Sequence, residues 1–187
     1  MSHETEAQAA LDICADPEAL ATEYDFARAA IFTARAAGLT IATAESLTGG
    51  LAAQVLTSVP GASEVFRGGV VAYSAELKAR LLRVPASLLE RVGTVDPEVA
   101  LAMARGAVEL LDVDIAVAST GVAGPEPHSG KPVGEVHLAV YDRVANASRV
   151  SSLSLGGTRD DIRGQSAISM CGLVIDVLLP HTGLKRG

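Results

Sequence analysis

The feature that most restricts the fold is a regular alternation, through the first two-thirds of the chain, of short apolar runs with longer amphipathic stretches. Residues 39–44, 68–73 and 115–119 are strand-length runs of small and branched apolar side chains, punctuated by glycine and polar residues. Helical spacing fills the gaps. Leu20, Tyr24, Ala27, Ile31 and Ala34 recur at steps of three and four after an Asp16-Pro17-Glu18 start signal and stop at Gly38. Gly49 and Gly50 open a helix to about Thr57, a short helix carries Lys78, and Asp96-Pro97-Glu98 starts another along Val99, Ala102, Met103, Gly106, Ala107 and Leu110. Residues 120–132 form a Gly/Pro-rich loop, and 133–141 with 149–155 read as an antiparallel pair. Thr158 and Asp161 have capping-box spacing ahead of a final helix to Leu179.

Alternation followed by a hairpin gives an α/β class: a three-layer α/β/α domain with a mixed, mostly parallel central sheet. The expected organisation is a flexible extension over 1–18, one domain over 19–180 and a tail over 181–187. The 187 residues suffice for one core, and with aromatics at 3% that core must consist of Ala, Val, Leu and Ile.

The same scarcity of aromatics, with a net charge of -7 and scattered Arg and Lys, argues against nucleic acid as a partner. Cys14 and Cys171 form no C-x-x-C, so neither a disulfide framework nor a zinc site is indicated, and Cys171 reads as core. The polar, acidic start lacks the pattern of a secretory signal, and the apolar run 172–179 is too short to span a bilayer. No membrane partner and a cytoplasmic setting are therefore expected.

Three segments carry chemistry. Thr43-Ala44-Glu45-Ser46-Leu47-Thr48-Gly49-Gly50 turns from a strand end into a glycine-opened helix, a junction whose backbone N–H groups favour an anion and where Ser46 would gain as a nucleophile. A serine or threonine there also serves as a plain helix cap. In Tyr73-Ser74-Ala75-Glu76-Leu77-Lys78 the lysine is a candidate base for Ser46 or, equally, a solvated helix residue. His3 and His181 lie in tails, His128 in a loop and His137 in an alternating strand, none well placed to replace it.

An ordinary lysine is neutral in roughly one molecule in two thousand at pH 7, whereas one lowered to a pKa of about 8 would be neutral in about a tenth. A catalytic Lys78 must therefore be largely desolvated. Ser119-Thr120-Gly121-Val122-Ala123-Gly124-Pro125 could line the same pocket or form an ordinary turn, and Gly156-Gly157-Thr158-Arg159 places a cation beside a helix start.

Taken together, T-A-E-S-L-T-G-G, G-G-V-V-A-Y-S-A-E-L-K, S-T-G-V-A-G-P, K-P-V-G and G-G-T-R-D resemble the C-terminal domain of the CinA family, over about residues 24–179. Stand-alone members of that family deamidate nicotinamide mononucleotide, so the resemblance implies a hydrolase of pyridine nucleotide salvage without metal or organic cofactor. It implies Ser46 as nucleophile, Lys78 as its base and Tyr73 as an aid to proton transfer or a support for the lysine. Thr120, Gly121 and Arg159 would bind substrate, with backbone donors around Thr48, Gly49 and Gly50 for an oxyanion or the phosphate. A small-molecule nucleotide partner and a homodimer are the associated expectations.

The chain departs from the family pattern at Ala75, where Asn is common. It departs again at Glu126-Pro127-His128-Ser129-Gly130, a loop one residue shorter than usual. A nucleotide-holding module without catalysis is the alternative these departures raise.

Overall fold

A computed structural model describes residues 2–15 and 22–185. In chain order the elements are α1 (His3–Ala15), α2 (Glu23–Ala37), β1 (Ile41–Glu45), α3 (Leu51–Thr57), β2 (Phe66–Val71), α4 (Ala75–Leu82), α5 (Ala86–Val92), α6 (Pro97–Leu111), β3 (Ile115–Gly121), β4 (Glu135–Asp142), β5 (Ala147–Ser154) and α7 (Arg159–Leu178). Short 3-10 turns occupy Ala62–Glu64 and Leu179–His181.

The strands form a single sheet in the order β2-β1-β3-β4-β5. β1 pairs in parallel with both β2 and β3, while β4 is antiparallel to β3 and to β5. Four strands therefore share one direction and β4 alone opposes them. The parallel pairs need crossovers, which the helices between β1 and β3 supply, and β4 and β5 close as a hairpin.

Strand alternation sends neighbouring side chains to opposite faces. Ile41, Ile115, Val117, Val136, Leu138 and Val140 face a layer made by α1, α2, α3 and α7. Ala42, Ala44, Ala116, Ala118 and Ala139 face α4 and α6, whose contributions include Leu82, Val99, Ala100, Met103, Ala104 and Ala107. Gly106 lies so close to the end of α4 that an added Cβ would stand 1.9 Å from the Leu82 carbonyl oxygen. α4 is thereby seated on α6, with Lys78 and Leu82 as its buried side chains.

The expected Asp16-Pro17-Glu18 start and Leu20 lie outside the described residues. α2 begins instead at a capping box in which Thr22 accepts from the Asp25 N–H and the Asp25 carboxylate accepts from the Thr22 N–H. The extension expected to be flexible is, over residues 3–15, a helix docked through Ala7, Ala10 and Leu11. The expected tail also returns to the fold: His181 Nε2 lies 2.6 Å from Asp142 Oδ2, and Gln8 donates to the Lys185 carbonyl at 3.0 Å. The Asp96-Pro97 start and the Thr158–Asp161 capping box occur as read. α5 was not anticipated. The stretch Arg159–His181 is long and apolar enough to cross a membrane, yet half of its apolar window is buried as core.

Candidate active site

The three motif-bearing loops leave the carboxyl ends of adjacent parallel strands, where open α/β sheets place their ligand crevices. Glu45 pairs with Val71 on one side and Ser119 on the other. The ladder continues into the turn, for Ser46 N–H donates to Ser119 O at 3.1 Å and Ala72 N–H to Glu45 O at 2.9 Å. Ser46, Ala72-Tyr73 and Thr120-Gly121 are thus brought to one rim.

Ser74 caps α4 by accepting from Leu77 N–H, which starts the helix at a position that turns Lys78 inward. The Lys78 side chain is 1% exposed, and Ser46 is 8% exposed. Lys78 Nζ lies 2.8 Å from Ser46 Oγ and 2.8 Å from the Ala72 carbonyl oxygen. Burial disfavours the ammonium and lowers the lysine pKa to about 8. The lysine donates to both oxygens when charged, and when neutral offers a lone pair to the serine hydroxyl proton.

The turn around Ser46 is held from two sides, by residues that sequence reasoning missed. Glu45 is fully buried, and its carboxylate accepts from Gly50 N–H at 2.9 Å, Ala52 N–H at 3.1 Å, Ala53 N–H at 2.9 Å and Thr43 Oγ1 at 3.1 Å. From α7, Arg163 Nε donates to Leu47 O at 3.2 Å and its Nη2 to Thr48 O at 3.0 Å.

The expectation of backbone donors around Thr48, Gly49 and Gly50 is corrected for the two glycines, whose N–H groups have protein acceptors, and for the Thr48 hydroxyl, while the Thr48 N–H stays available. The N–H groups opening α3 are taken by the protein's own Glu45, Gly49 N–H donates to Ser46 O at 3.1 Å, and Thr48 Oγ1 is buried 2.9 Å from Ser119 Oγ. None of the three residues lines the cleft. Among the described residues, the turn amides left without a protein acceptor are those of Leu47 and Thr48, the two that follow Ser46.

Above Ser46 opens a cleft of about 340 Å³ lined by Leu47, Tyr73, Thr120, Gly121, His128 and Arg159, among others. Lys78 stands behind the serine and outside that lining. The expected role of Tyr73 as a support for the lysine needs correction: its ring is 60% exposed, and its hydroxyl accepts from Arg159 Nη2 at 3.0 Å rather than touching Lys78. Arg159 Nη1 donates to the Gly124 carbonyl, so the arginine braces the cleft between two loops. The backbone carbonyl beside Tyr73, that of Ala72, is what holds the amine. Thr120 Oγ1 donates to Thr94 O at 2.6 Å, which draws the unanticipated segment Thr94-Val95 into the wall. Gly121 is required by contact, since a Cβ there would meet Glu135 O at 2.6 Å.

Ala75, the first residue of α4, faces solvent. His128 sits at the cleft on a loop tied by reciprocal backbone bonds with Lys131. His137 is held on the sheet between Ser152 Oγ at 2.8 Å and Glu135 Oε1 at 3.1 Å. Cys171 is core, its thiol pushed up to about 12 by burial. Among the described residues no three His, Cys, Asp or Glu side chains are grouped to hold a metal ion.

Fold and site together define an open-sheet α/β protein with a buried serine–lysine pair at the carboxyl edge of its parallel strands. Residues 24–178 match the CinA C-terminal domain, and the chain belongs to that family. It is 46% identical over 139 residues to a putative competence-damage inducible protein of Geobacillus sp. (strain WCH70), covering 74% of this chain and 33% of the relative. A CinA-like protein of Geobacter sulfurreducens is 48% identical over 136 residues, 72% of this chain and 32% of its own length. The chain thus spans about a third of these relatives. The crystal structure of a competence/damage inducible protein from Agrobacterium tumefaciens superposes with a TM-score of 0.80 at 36% identity, over 83% of this chain and 94% of that one. A CinA superfamily protein from Klebsiella pneumoniae gives 0.82 at 27% identity, over 86% and 99%.

Proposed function

We propose that the cleft hydrolyses the carboxamide of nicotinamide mononucleotide, releasing ammonia and nicotinic acid mononucleotide. The observation that carries this reading is the 2.8 Å contact between a serine hydroxyl and a fully buried lysine whose pKa lies near 8. Ser46 Oγ attacks the carboxamide carbon while neutral Lys78 takes its proton, and the carbonyl oxygen, now an oxyanion, turns towards the amides of Leu47 and Thr48, which have no acceptor among the described residues. Collapse breaks the C–N bond, and Lys78 hands its proton to the departing ammonia, leaving an acyl-serine. Water then attacks the acyl carbon, gives a proton to Lys78, and the serine leaves with that proton.

Arg159, at the cleft rim, suits the phosphate of the substrate. Lysine supplies the base and backbone the electrophilic help, so the proposed cycle needs neither metal nor organic cofactor. A homodimer in the cytoplasm completes the reading.

The test is an ammonia-coupled assay with nicotinamide mononucleotide, nicotinamide riboside and nicotinamide side by side. The nucleotide should be turned over best, and Ser46→Ala should abolish release while leaving the circular dichroism spectrum unchanged. Turnover retained by Ser46→Ala would refute the nucleophile assignment. Binding of the nucleotide without any ammonia from the unsubstituted chain would favour a holding module instead.

A further inference from the structure

We infer that Arg163 is a positioning residue for the oxyanion-binding backbone beside Ser46. The inference deepens the proposed function and rests on its assignment of Ser46 as the nucleophile.

A trans peptide points its C=O and the following N–H in opposite directions, so fixing one fixes the other. Arg163 Nε holds the Leu47 carbonyl on the α7 side of the turn, which turns the Thr48 N–H away from α7. Nη2 holds the next carbonyl, that of Thr48. The Ser46 carbonyl is engaged by Gly49 N–H, so the Leu47 N–H points out of the turn. Both amides are consequently oriented while having no acceptor among the described residues, as donors reserved for charge that develops during a reaction should be.

Glu45 makes this selection sharper. Its carboxylate takes the N–H groups of Gly50, Ala52 and Ala53, so the opening of α3 is already filled by an internal anion. A negative group at one end of the turn and a guanidinium at the other leave donors only beside the nucleophile.

The geometry of Arg163 is suited to this and little else. Its two carbonyl bonds join residues 116 and 115 positions apart, while its one ion pair among the described residues, to Asp160 Oδ1 at 3.4 Å, reaches a carboxylate that is 90% exposed. An exposed pair of that kind contributes little to stability. Planar, forked donors can span two successive carbonyls; a lysine ammonium at the same place offers one point of contact.

The experiment compares the unsubstituted chain with Arg163→Met, Arg163→Lys and Arg163→Ala. It measures kcat and KM for nicotinamide mononucleotide and the rate at which a fluorophosphonate labels Ser46. That probe needs the same donors for its phosphoryl oxygen but none of the nucleotide contacts. Arg163→Met should lower kcat and the labelling rate on the order of tenfold to a hundredfold, with KM changed less than about threefold. Arg163→Lys should fall between, and guanidinium ion should restore part of the rate in Arg163→Ala. Labelling and kcat within about twofold of the unsubstituted chain in a folded Arg163→Met or Arg163→Lys would overturn the inference, as would losses that guanidinium leaves unchanged. Labelling that depends on Arg163 in a chain that does not hydrolyse the nucleotide would support the inference and strike the substrate assignment alone.

Discussion

Replacing Lys78 by Met should make the protein more stable at neutral pH while ending catalysis, and the size of the gain should depend on pH in a way that only a desolvated amine explains. The lysine is 1% exposed and its pKa falls from 10.5 to about 8. Between those values the unfolded chain binds a proton that the folded chain releases, so stability rises with pH across that window. Below about pH 8 both states are protonated, and the folded protein carries the full desolvation penalty.

From the two pKa values that penalty is about 3 kcal/mol at pH 7, about 2 kcal/mol at pH 9 and about 1 kcal/mol at pH 10. Methionine keeps the length of the stem and removes the charge. It also leaves Ser46 Oγ and the Ala72 carbonyl without their donor, which offsets about 1 kcal/mol for each bond. The expected net gain is therefore about 1 kcal/mol at pH 7, turning into a loss of about 1 kcal/mol by pH 10. Urea titrations of both proteins, followed by far-UV circular dichroism at pH 7, 9 and 10, measure the gap directly. A gap that stays constant over this range would refute the reasoning, because an amine that is hydrated in the fold gives no such slope.

Three other outcomes follow from the same geometry. Because about a tenth of Lys78 is neutral at pH 7 and about nine-tenths at pH 9, kcat/KM should climb roughly tenfold between them with a midpoint near 8; a flat profile would remove the lysine from the base role. Arg159→Ala should raise KM for nicotinamide mononucleotide about tenfold to a hundredfold and leave turnover of nicotinamide riboside within about threefold, which paired kinetics would check. Gly106→Ala puts a Cβ 1.9 Å from the Leu82 oxygen and should cost about 3 kcal/mol, seen as a Tm lower by roughly 6–12 °C.

Much of the molecule was legible in the chain because its signals are local. The α7 capping box, the Asp96-Pro97 start and the small-residue turn after β1 each depend on residues within a few positions of one another. The approach of Lys78 to Ser46 was legible as a requirement, since a serine with no placed histidine leaves a lysine base that must be buried. What escaped reading is what depends on distant partners or weak patterns. α5 follows Pro85, has seven residues and buries none of them, so no apolar stripe announces it. Glu45 and Arg163 resemble an ordinary acidic and an ordinary basic residue until the fold closes the 116-residue separation between Arg163 and Leu47. Glycines at the start of α3 promised open donors, and nothing in their spacing revealed that an acid five residues earlier already occupies them.

The alanine face of the sheet bears on how this protein can change over time. Methyl groups have no rotamers to surrender on folding, so the layer formed by Ala42, Ala44, Ala116, Ala118 and Ala139 against α6 assembles without loss of side-chain entropy. For the same reason the strands have no adjustable parts on this face with which to absorb a bulkier neighbour, and any yielding falls to Leu82 and Met103 opposite. Variation should therefore accumulate on the face built from isoleucine, valine and leucine, while the strand that presents the nucleophile rests on a bed that tolerates almost none.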